Sequence, residues 1–412
     1  VITACLISLL SVLTAEASQQ APIQQYDGYD IDTSALSILY SGGTDNIWLD
    51  ARKLKNHTRE ALDFIASAPD HGLNPDDYHF EFLSKFEPGE NHSANEKFDL
   101  LLSDGLLKLM HDIAIGRLDP NQADPDWTIP RSPFDAISYL QASLSEDDLR
   151  SNLRLLAPSS EHYRQIKAAI ERYQSYVDRG DWRRIPATPL LKPGDYHRSV
   201  SAIRERLNFE GARLATDSRL LTDMYDDELV RAVRAFQRRH SLSADGIVGP
   251  RTLRAMNISA QARLKQINVA LERLRWLPDD LGERYILVNL ANYRLTAVEN
   301  NEIKLDMRVI VGKAQRSTPS FSSEMTKIVL NPHWYVPNKL ARLDLLPKQK
   351  RNPNYFESQN IRVFDNVNGV NTEVSPTSID WNALDGDHFP YALRQEPGSN
   401  NALGQLKFIM PN

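Results

Sequence analysis

The chain has 412 residues, 41% of them hydrophobic, which leaves room for about two or three domains with real cores. Its formal net charge of −6 argues against nucleic acid as a partner, although local basic faces remain open. Glycine and proline are ordinary in number and no long low-complexity tract occurs, so we expect most of the chain to be folded.

The N-terminus has the pattern of a secretory signal. The apolar run from Leu6 to Leu13 is short for a membrane span, and Ala15-Glu16-Ala17 follows as a small-x-small cleavage site. No charged segment and no initiator Met precede the run, so we expect the sequence to begin within the signal. An uncleaved membrane anchor is the lesser alternative. Cys5 is the only cysteine and would leave with the signal, so no disulfide and no Cys-bound metal are predicted.

The next part of the chain is predicted to be a mainly helical scaffold. Glu60–Ile65 and Phe98–Met110 have apolar side chains at helical spacing. Asp119, Asp124 and Asp126 lie in one Pro-rich loop, but their spacing differs from that of an EF-hand. We therefore expect a solvated loop there, and we find no catalytic pattern in this region.

After a Pro-punctuated link, the sequence predicts a small bundle of three short helices. Val200, Ile203 and Leu207 share one helical face, which indicates the first helix. A turn then places Pro250 at the first position of the last helix, where its missing N–H costs nothing. A unit of this size is near the lower limit for an independent core.

This bundle resembles the type 1 peptidoglycan-binding domain of cell-wall enzymes. The likeness rests on an Ala-Phe-Gln helix at residues 233–240 and on an Asp-Gly-x-x-Gly-x-x-Thr segment at residues 245–252. Arg231, Arg234 and Arg238 fall on one helical face and would meet an anionic glycan or a peptide carboxylate. The alternative, that these arginines only solvate the outside of the helix, has equal weight.

An amphipathic helix and a β unit complete the chain. The helix runs from Ser259 to Pro278 and is expected to pack back on the scaffold. Apolar and charged residues alternate from Ile303 to Val309, which predicts a half-buried strand. Asn300-Asn301 lies just before that strand and predicts a hairpin turn.

Several catalytic patterns are missing from the sequence. Val311-Gly312-Lys313 lacks the upstream Gly and the following Ser or Thr of a phosphate-binding loop. Neither Gly-x-Ser-x-Gly nor His-Glu-x-x-His occurs, and the ten histidines have no metal-ligand spacing. A zinc amidase or peptidase is therefore poorly supported, and no metal or cofactor is predicted.

Four segments of the last third resemble the YkuD-type catalytic domain of the L,D-transpeptidases, in the large exported branch that carries a peptidoglycan-binding module. They are Ile286–Leu290, Val311–Pro319, Asn331–Pro337 and Asn401–Pro411. The resemblance implies cysteine acyl transfer. A thiolate attacks the carbonyl of an L,D peptide bond in a tetrapeptide stem, the terminal D-Ala leaves, and an amine acceptor completes the crosslink. It also implies a periplasmic location, with peptidoglycan as the partner.

The resemblance further implies where substrate would bind. An insertion of about residues 338–400 would cap the substrate groove. Trp334, Tyr335, Asn401 and Gly404 would bind substrate, although a purely core role for Trp334 is at least as well supported.

The catalytic Cys and His of such enzymes follow the Lys-Phe-x-Met-Pro strand. We therefore expect them after Asn412, and no catalytic residue is assigned within the printed sequence. A β unit with so few strands would also leave open sheet edges. The expectation is a fragment truncated at both ends and inactive as printed.

The predicted fold class is α+β multidomain, with a helical scaffold, a three-helix bundle, and an incomplete, mostly β catalytic domain with a long capping insertion. The leading function is a peptidoglycan L,D-transpeptidase. The alternatives are a non-catalytic wall-binding protein and, with less support, a cell-wall hydrolase or amidase. The predicted bounds are 1–17 for the partial signal peptide, 18–190 for the scaffold, 191–258 for the peptidoglycan-binding bundle, 259–282 for the linker helix and 283–412 for the catalytic domain.

Overall fold

A computed structural model describes residues 23–411, except residues 42, 44–45, 51–52, 215–222, 314, 368–369 and 385–388. The predicted signal peptide, residues 1–17, lies outside the described residues. The chain forms two compact units that divide after Ser320. None of the helices in the described ranges combines the length and apolar character that a membrane crossing requires. The α+β multidomain class is confirmed.

The scaffold region of the first unit is mainly helical, as predicted. Short polar side chains begin many of its helices, among them Asp32, Asn91 and Ser160, each of which accepts a hydrogen bond from a first-turn backbone N–H. Its elements are β1 (Ile23–Tyr26), β2 (Tyr29–Asp32), α1 (Thr33–Leu39), β3 (Leu49–Asp50), β4 (Lys53–Leu54), α2 (Asn56–Ala66), 3₁₀ turns at Ala68–His71 and Pro75–Tyr78, α3 (Phe80–Leu83), α4 (His92–Ile115), α5 (Pro120–Ala123), α6 (Ala136–Ser145), α7 (Leu149–Leu155) and α8 (Glu161–Asp178).

Helix α4 carries two buried carboxylates that fasten the N-terminal segments to the scaffold core. Asp99 accepts hydrogen bonds from the Trp48 backbone N–H (2.8 Å) and the Tyr40 hydroxyl (2.5 Å), and burial raises its pKa. Asp104 accepts from the Asp32 backbone N–H and lies 2.7 Å from the His79 ring nitrogen. Buried carboxylates are tolerated when their oxygens are satisfied in this way.

The predicted three-helix bundle is present in the first unit. It consists of α9 (Ser199–Phe209), α10 (Asp227–Arg239) and α11 (Pro250–Met256). Gly249 is the N-cap residue of α11, and Pro250 is its first residue, as expected. The bundle core includes Val200, Ile203 and Leu207, as predicted from helical spacing, together with Leu229, Val233 and Phe236.

The next helix, α12 (Ala260–Arg275), packs against the scaffold region of the first unit. The Ser259 side chain caps its first turn. Its buried Leu264 and Leu271 pack with Tyr163 and Ile170 of α8, which confirms that the helix returns to the scaffold. Apolar residues at i, i+3 and i+4 spacing place side chains such as these on one side of a helix, where they can pack against a neighbouring helix.

The first unit ends with an antiparallel sheet in the order β5-β6-β7. The strands are Arg284–Asn289, Arg294–Glu299 and Glu302–Arg308. The predicted hairpin is confirmed, and Asn300 and Asn301 have φ values of 52° and 62°, as a two-residue turn with a matching twist requires.

The predicted half-burial of the last of these strands is wrong. Ile303 is 65% exposed, Leu305 54% and Met307 44%. Alternation sets the direction of side chains along a strand, but their burial needs a second layer packed on that face.

The second unit contains two sheets and the insertion. One antiparallel sheet has the order β11-β10-β12-β9, and β8 pairs with β13 in a second. The described part of the insertion has its own core around Phe356, Val363, Trp381 and Leu393, so that part forms a packed layer. The elements are β8 (Lys327–Leu330), β9 (Trp334–Tyr335), α13 (Asn338–Leu340), a π-helical turn at Ala341–Leu345, α14 (Leu346–Arg351), α15 (Tyr355–Ser358), β10 (Ile361–Val367), β11 (Val370–Val374), 3₁₀ turns at Pro376–Ser378 and Trp381–Ala383, β12 (Ala392–Gln395) and β13 (Leu406–Ile409).

Candidate functional site

A groove of about 410 Å³ lies between α9 and α10 of the three-helix bundle. One wall is the end of α9 with the residues after it, and the other is a face of α10 that includes Ala232 and Ala235. Small side chains on that face leave the space open. Charged side chains surround it, so the groove suits a polar ligand.

Two arginines and two glutamates line this groove. Arg231 and Arg239 come from α10, and Glu228 lies one turn before Arg231. Glu210 is shared between two guanidinium groups, with 2.9 Å contacts to both Arg206 and Arg239. Arg206 is itself buried, and its guanidinium stacks 3.4 Å from the centre of the Trp182 ring. Two guanidinium groups therefore hold Glu210 in place at the edge of the groove.

The structure separates the three arginines that the sequence grouped together. All three are exposed on α10, but only Arg231 lines the groove. Arg234 lies over the turn, with its guanidinium 3.4 Å from the Asp245 carbonyl oxygen. The α10 residues that line the groove lie on a face that is rotated around the helix axis from the row Arg231, Arg234 and Arg238. Arg231 belongs to both faces. Helical spacing alone did not single out Arg239.

The motif that carries the peptidoglycan-binding resemblance forms a buried hydrogen-bond network. The Gln237 side-chain amide donates to Asp245 (2.9 Å), the Ile247 carbonyl (3.0 Å) and the Thr252 hydroxyl (3.2 Å). Its carbonyl oxygen accepts from the Gly246 backbone N–H at 2.9 Å. Gly246 has a φ of 77°, a conformation that glycine adopts without strain. Gln237, Gly246 and Thr252 thus build the bundle and do not line the groove, whereas Ala235 of the same motif does.

In the second unit, Trp334 and Tyr335 form the short strand β9, which pairs with β12. Trp334 is half-buried against the core of the insertion, whereas Tyr335 is 71% exposed on the opposite side of the strand. Trp334 therefore has the environment of a core residue, which is the alternative role given for it above. Tyr335 is the side chain that a ligand can reach.

Asn401 and Gly404 lie in a turn beside β9. Asn401 is buried, and its amide donates to the carbonyls of Pro332 (3.1 Å) and Glu396 (3.0 Å). Gly404 has a φ of 70°, and its N–H donates to the Asn401 carbonyl at 2.9 Å. The structure brings both residues close to the Trp334 segment. The Asn401 side chain, however, is already engaged by backbone groups.

A buried glutamine that the sequence did not single out completes this corner. Gln395 on β12 donates to the Gln359 and Asn400 carbonyls and accepts from the Ala402 N–H at 2.9 Å. Its partners come from two separate segments, one around Gln359 and one at residues 400–402, so no local pattern identifies it. Within the described ranges, no three His, Cys, Asp or Glu side chains cluster as metal ligands would.

Three segments of the chain match known protein families. Residues 35–170 match a family described as "Scaffold domain", residues 197–256 match "Putative peptidoglycan binding domain", and residues 283–412 match "L,D-transpeptidase catalytic domain". The chain thus carries a scaffold domain, a peptidoglycan-binding domain and a YkuD-type L,D-transpeptidase domain.

A curated relative bears one of the same names. The chain is 42% identical over 141 residues to a Haemophilus influenzae protein named "Putative L,D-transpeptidase". The match covers 34% of this chain and 27% of the relative, so it spans about a quarter of the relative's length.

Proposed function

We propose that the protein is a peptidoglycan L,D-transpeptidase that works at the cell wall in the periplasm. The reaction is cysteine acyl transfer. A thiolate attacks the L,D peptide bond of a tetrapeptide stem, the terminal D-Ala leaves as the free amine, and a second stem's amine releases the acyl group as a crosslink. The observation that carries the proposal is the presence of a peptidoglycan-binding domain and an L,D-transpeptidase domain on one chain.

Within the catalytic domain, we propose that Trp334, Tyr335, Asn401 and Gly404 form part of the substrate-binding region. The support is their proximity around β9. Tyr335 would contact the substrate through its exposed ring, whereas Asn401 would hold the turn in place. The catalytic Cys and His expected after Asn412 stay predictions, and reading the source DNA beyond codon 412 tests them.

The reaction is tested with a purified disaccharide tetrapeptide and protein expressed from its full reading frame. Mass spectrometry should show release of D-Ala and a crosslinked dimer in which the acyl donor has lost its terminal residue. Prior alkylation with iodoacetamide should abolish both products, because the nucleophile is a thiolate. Release of D-Ala that survives alkylation would contradict the cysteine mechanism.

For the peptidoglycan-binding domain, we propose that the α9–α10 groove receives a carboxylate of the wall. Arg231 supports this role because it lines the groove and its side chain is exposed. An exposed guanidinium can give a carboxylate two parallel hydrogen bonds. Arg234 and Arg238 would add weaker, longer-range attraction from the adjacent stripe.

Co-sedimentation with purified sacculi tests this assignment. Arg231→Ala should weaken binding by about tenfold, as expected for losing one charge-assisted pair, whereas Arg238→Ala on the same helix should have a smaller effect. Arg231→Lys should restore only part of the affinity, because a lysine cannot make the two-bond contact. Equal losses for Arg231→Ala and Arg238→Ala would contradict a groove-centred site.

The alternative function is a wall-binding protein without acyl-transfer activity, and the existence of a separate, folded binding domain favours it. Sacculus binding together with no D-Ala release from the tetrapeptide would support this alternative over the enzyme.

A further inference from the structure

A loop of the scaffold domain pairs with a segment of the catalytic domain inside the first unit. The Thr128 backbone N–H donates to the Ser320 carbonyl at 2.8 Å, and the Ser320 N–H donates to the Asp126 carbonyl at 2.8 Å. Trp127 and Ser320 thereby form a parallel β-bridge. We call residues 124–128 the docking loop. Pro125, Asp126 and Thr128 are exposed, as expected of a solvated loop, but Trp127 is buried and the loop has partners far away in the sequence.

Side chains hold the docking loop on both sides. Asp126 accepts a hydrogen bond from the Ser317 hydroxyl of the catalytic domain. Trp127 is only 6% exposed, and its ring meets that of Trp276 edge to face at 5.2 Å. Arg273 pairs with Asp124 and lies 5.6 Å from the Trp127 ring centre. The loop is thus anchored on the last turn of α12 and just beyond it while it contacts the catalytic domain.

The segment that receives the docking loop is a closed turn. The Gly312 N–H donates to the Thr318 hydroxyl at 2.8 Å, and the Arg316 N–H donates to the Lys313 carbonyl at 2.8 Å. A side chain at position 312 would overlap the Arg316 carbonyl oxygen, so the turn requires glycine there. Ser317, held by Asp126, lies within this same turn.

We propose that Asp126 and Trp127 are positioning residues for acyl transfer. They hold Ser317 and Ser320 from the scaffold side and so fix the described part of this turn, residues 312–313 and 315–318. The turn belongs to a segment that carries the resemblance to L,D-transpeptidases, and the loop that holds it belongs to a different domain. The inference rests on the proposed transpeptidase function. In physical terms, small displacements of a segment that positions substrate cost large factors in rate, and this is the effect that the proposal assigns to the turn.

Hydrogen exchange in the chain of residues 1–412 tests the contact between the docking loop and the turn. Asp126→Ala should raise the exchange rates of the Gly312 and Ser320 amides about fivefold, since it removes one charge-assisted bond that holds the turn. Gln122→Ala, an exposed change just before the loop, is the matched control and should leave both rates unchanged. Unchanged rates in Asp126→Ala would overturn the inference. Trp127→Ala should give a larger increase, but it also risks the fold.

Kinetics of the protein from its full reading frame test the positioning role. Asp126→Ala should lower kcat about tenfold with little change in KM, and Asp126→Asn, which keeps an acceptor for Ser317, should recover most of it. The melting temperature should not change, because Asp126 and Ser317 are exposed. An active wild type with an unaffected Asp126→Ala variant would overturn this inference alone. A wild type without D-Ala release would overturn the proposed function and, with it, the positioning role.

Discussion

Replacing Gln237 with leucine should destabilise the peptidoglycan-binding domain without changing a residue that lines its groove. The change keeps the apolar stem and a similar volume but removes all four hydrogen bonds of the amide. After the change, the Ile247 carbonyl still accepts from the Thr252 hydroxyl at 3.3 Å, and Asp245 still accepts from the Ile247 N–H. The Gly246 N–H loses its partner in a buried position.

The expected cost follows from these partners. One orphaned, buried N–H costs about 1–3 kcal/mol, and the remaining lost bonds add about 1 kcal/mol in total because other partners replace them in part. The free energy of unfolding of the bundle should therefore fall by about 2–4 kcal/mol. A bundle of this size has few kcal/mol to lose, so a measurable unfolded fraction is expected at 37 °C.

The measurement is native-state hydrogen exchange of α10 and α11 amides at increasing urea, because a multidomain chain has no single unfolding free energy. The matched control is Gln174→Leu on α8, which is exposed and loses one bond to Asp178, so it should change stability by less than about 0.5 kcal/mol. A loss below about 1 kcal/mol for Gln237→Leu would refute the reasoning. Sacculus binding should fall only in proportion to the unfolded fraction, unlike the effect of Arg231→Ala.

Three further changes probe other parts of the chain. Burial, reinforced by the nearby Lys167 and Arg275, lowers the pKa of His71 to about 3. His71 therefore stays neutral in the folded scaffold, and the free energy of unfolding should fall by about 1.4 kcal/mol per pH unit as the pH drops from 6.5 towards 3. His71→Gln should remove this pH dependence in urea titrations. Equal slopes for the two proteins would contradict the reasoning. Gly105→Ala places a Cβ 2.5 Å from the Tyr78 carbonyl oxygen and should cost about 2 kcal/mol or more in calorimetry, whereas Gly89→Ala, with open space around it, should cost little. Asn401→Ala removes the donor to three backbone carbonyls, those of Pro332, Gln395 and Glu396, and should destabilise the second unit by about 2 kcal/mol, with faster exchange of the Leu403 amide. An unchanged Leu403 amide would show that the turn forms without this side chain.

Short sequence patterns were sufficient to predict the hairpin turn and the helices of the bundle, because neighbouring residues determine these elements. Asn300-Asn301 predicts a two-residue hairpin because asparagine tolerates positive φ better than most residues, and the structure confirms the turn. The three helices of the bundle follow from apolar spacing and from Pro250 at a helix start.

The sequence was less informative where partners lie far apart along the chain. Asp126 meets Ser317 across 191 positions and Asp124 meets Arg273 across 149, so neither contact leaves a short-range pattern. The role of Gln237 was hidden for a related reason. The motif that contains Gln237 is shared with wall-binding domains, which suggests contact with a ligand. Only the folded structure shows that Gln237 is buried under the turn that contains Gly246.

The sheet β5-β6-β7 has one more consequence, for the behaviour of the chain in solution. Its cross-strand rows Val288–Leu295–Met307 and Ile286–Ala297–Leu305 place apolar side chains side by side, and the outer strands of these rows are 41–54% exposed. The average hydropathy of the chain, −0.45, gives no hint of this patch. Contiguous apolar surface promotes self-association and dye binding, whatever the mean polarity of the molecule. We therefore expect this group of neighbouring side chains to favour self-association of the chain, which its overall composition does not indicate.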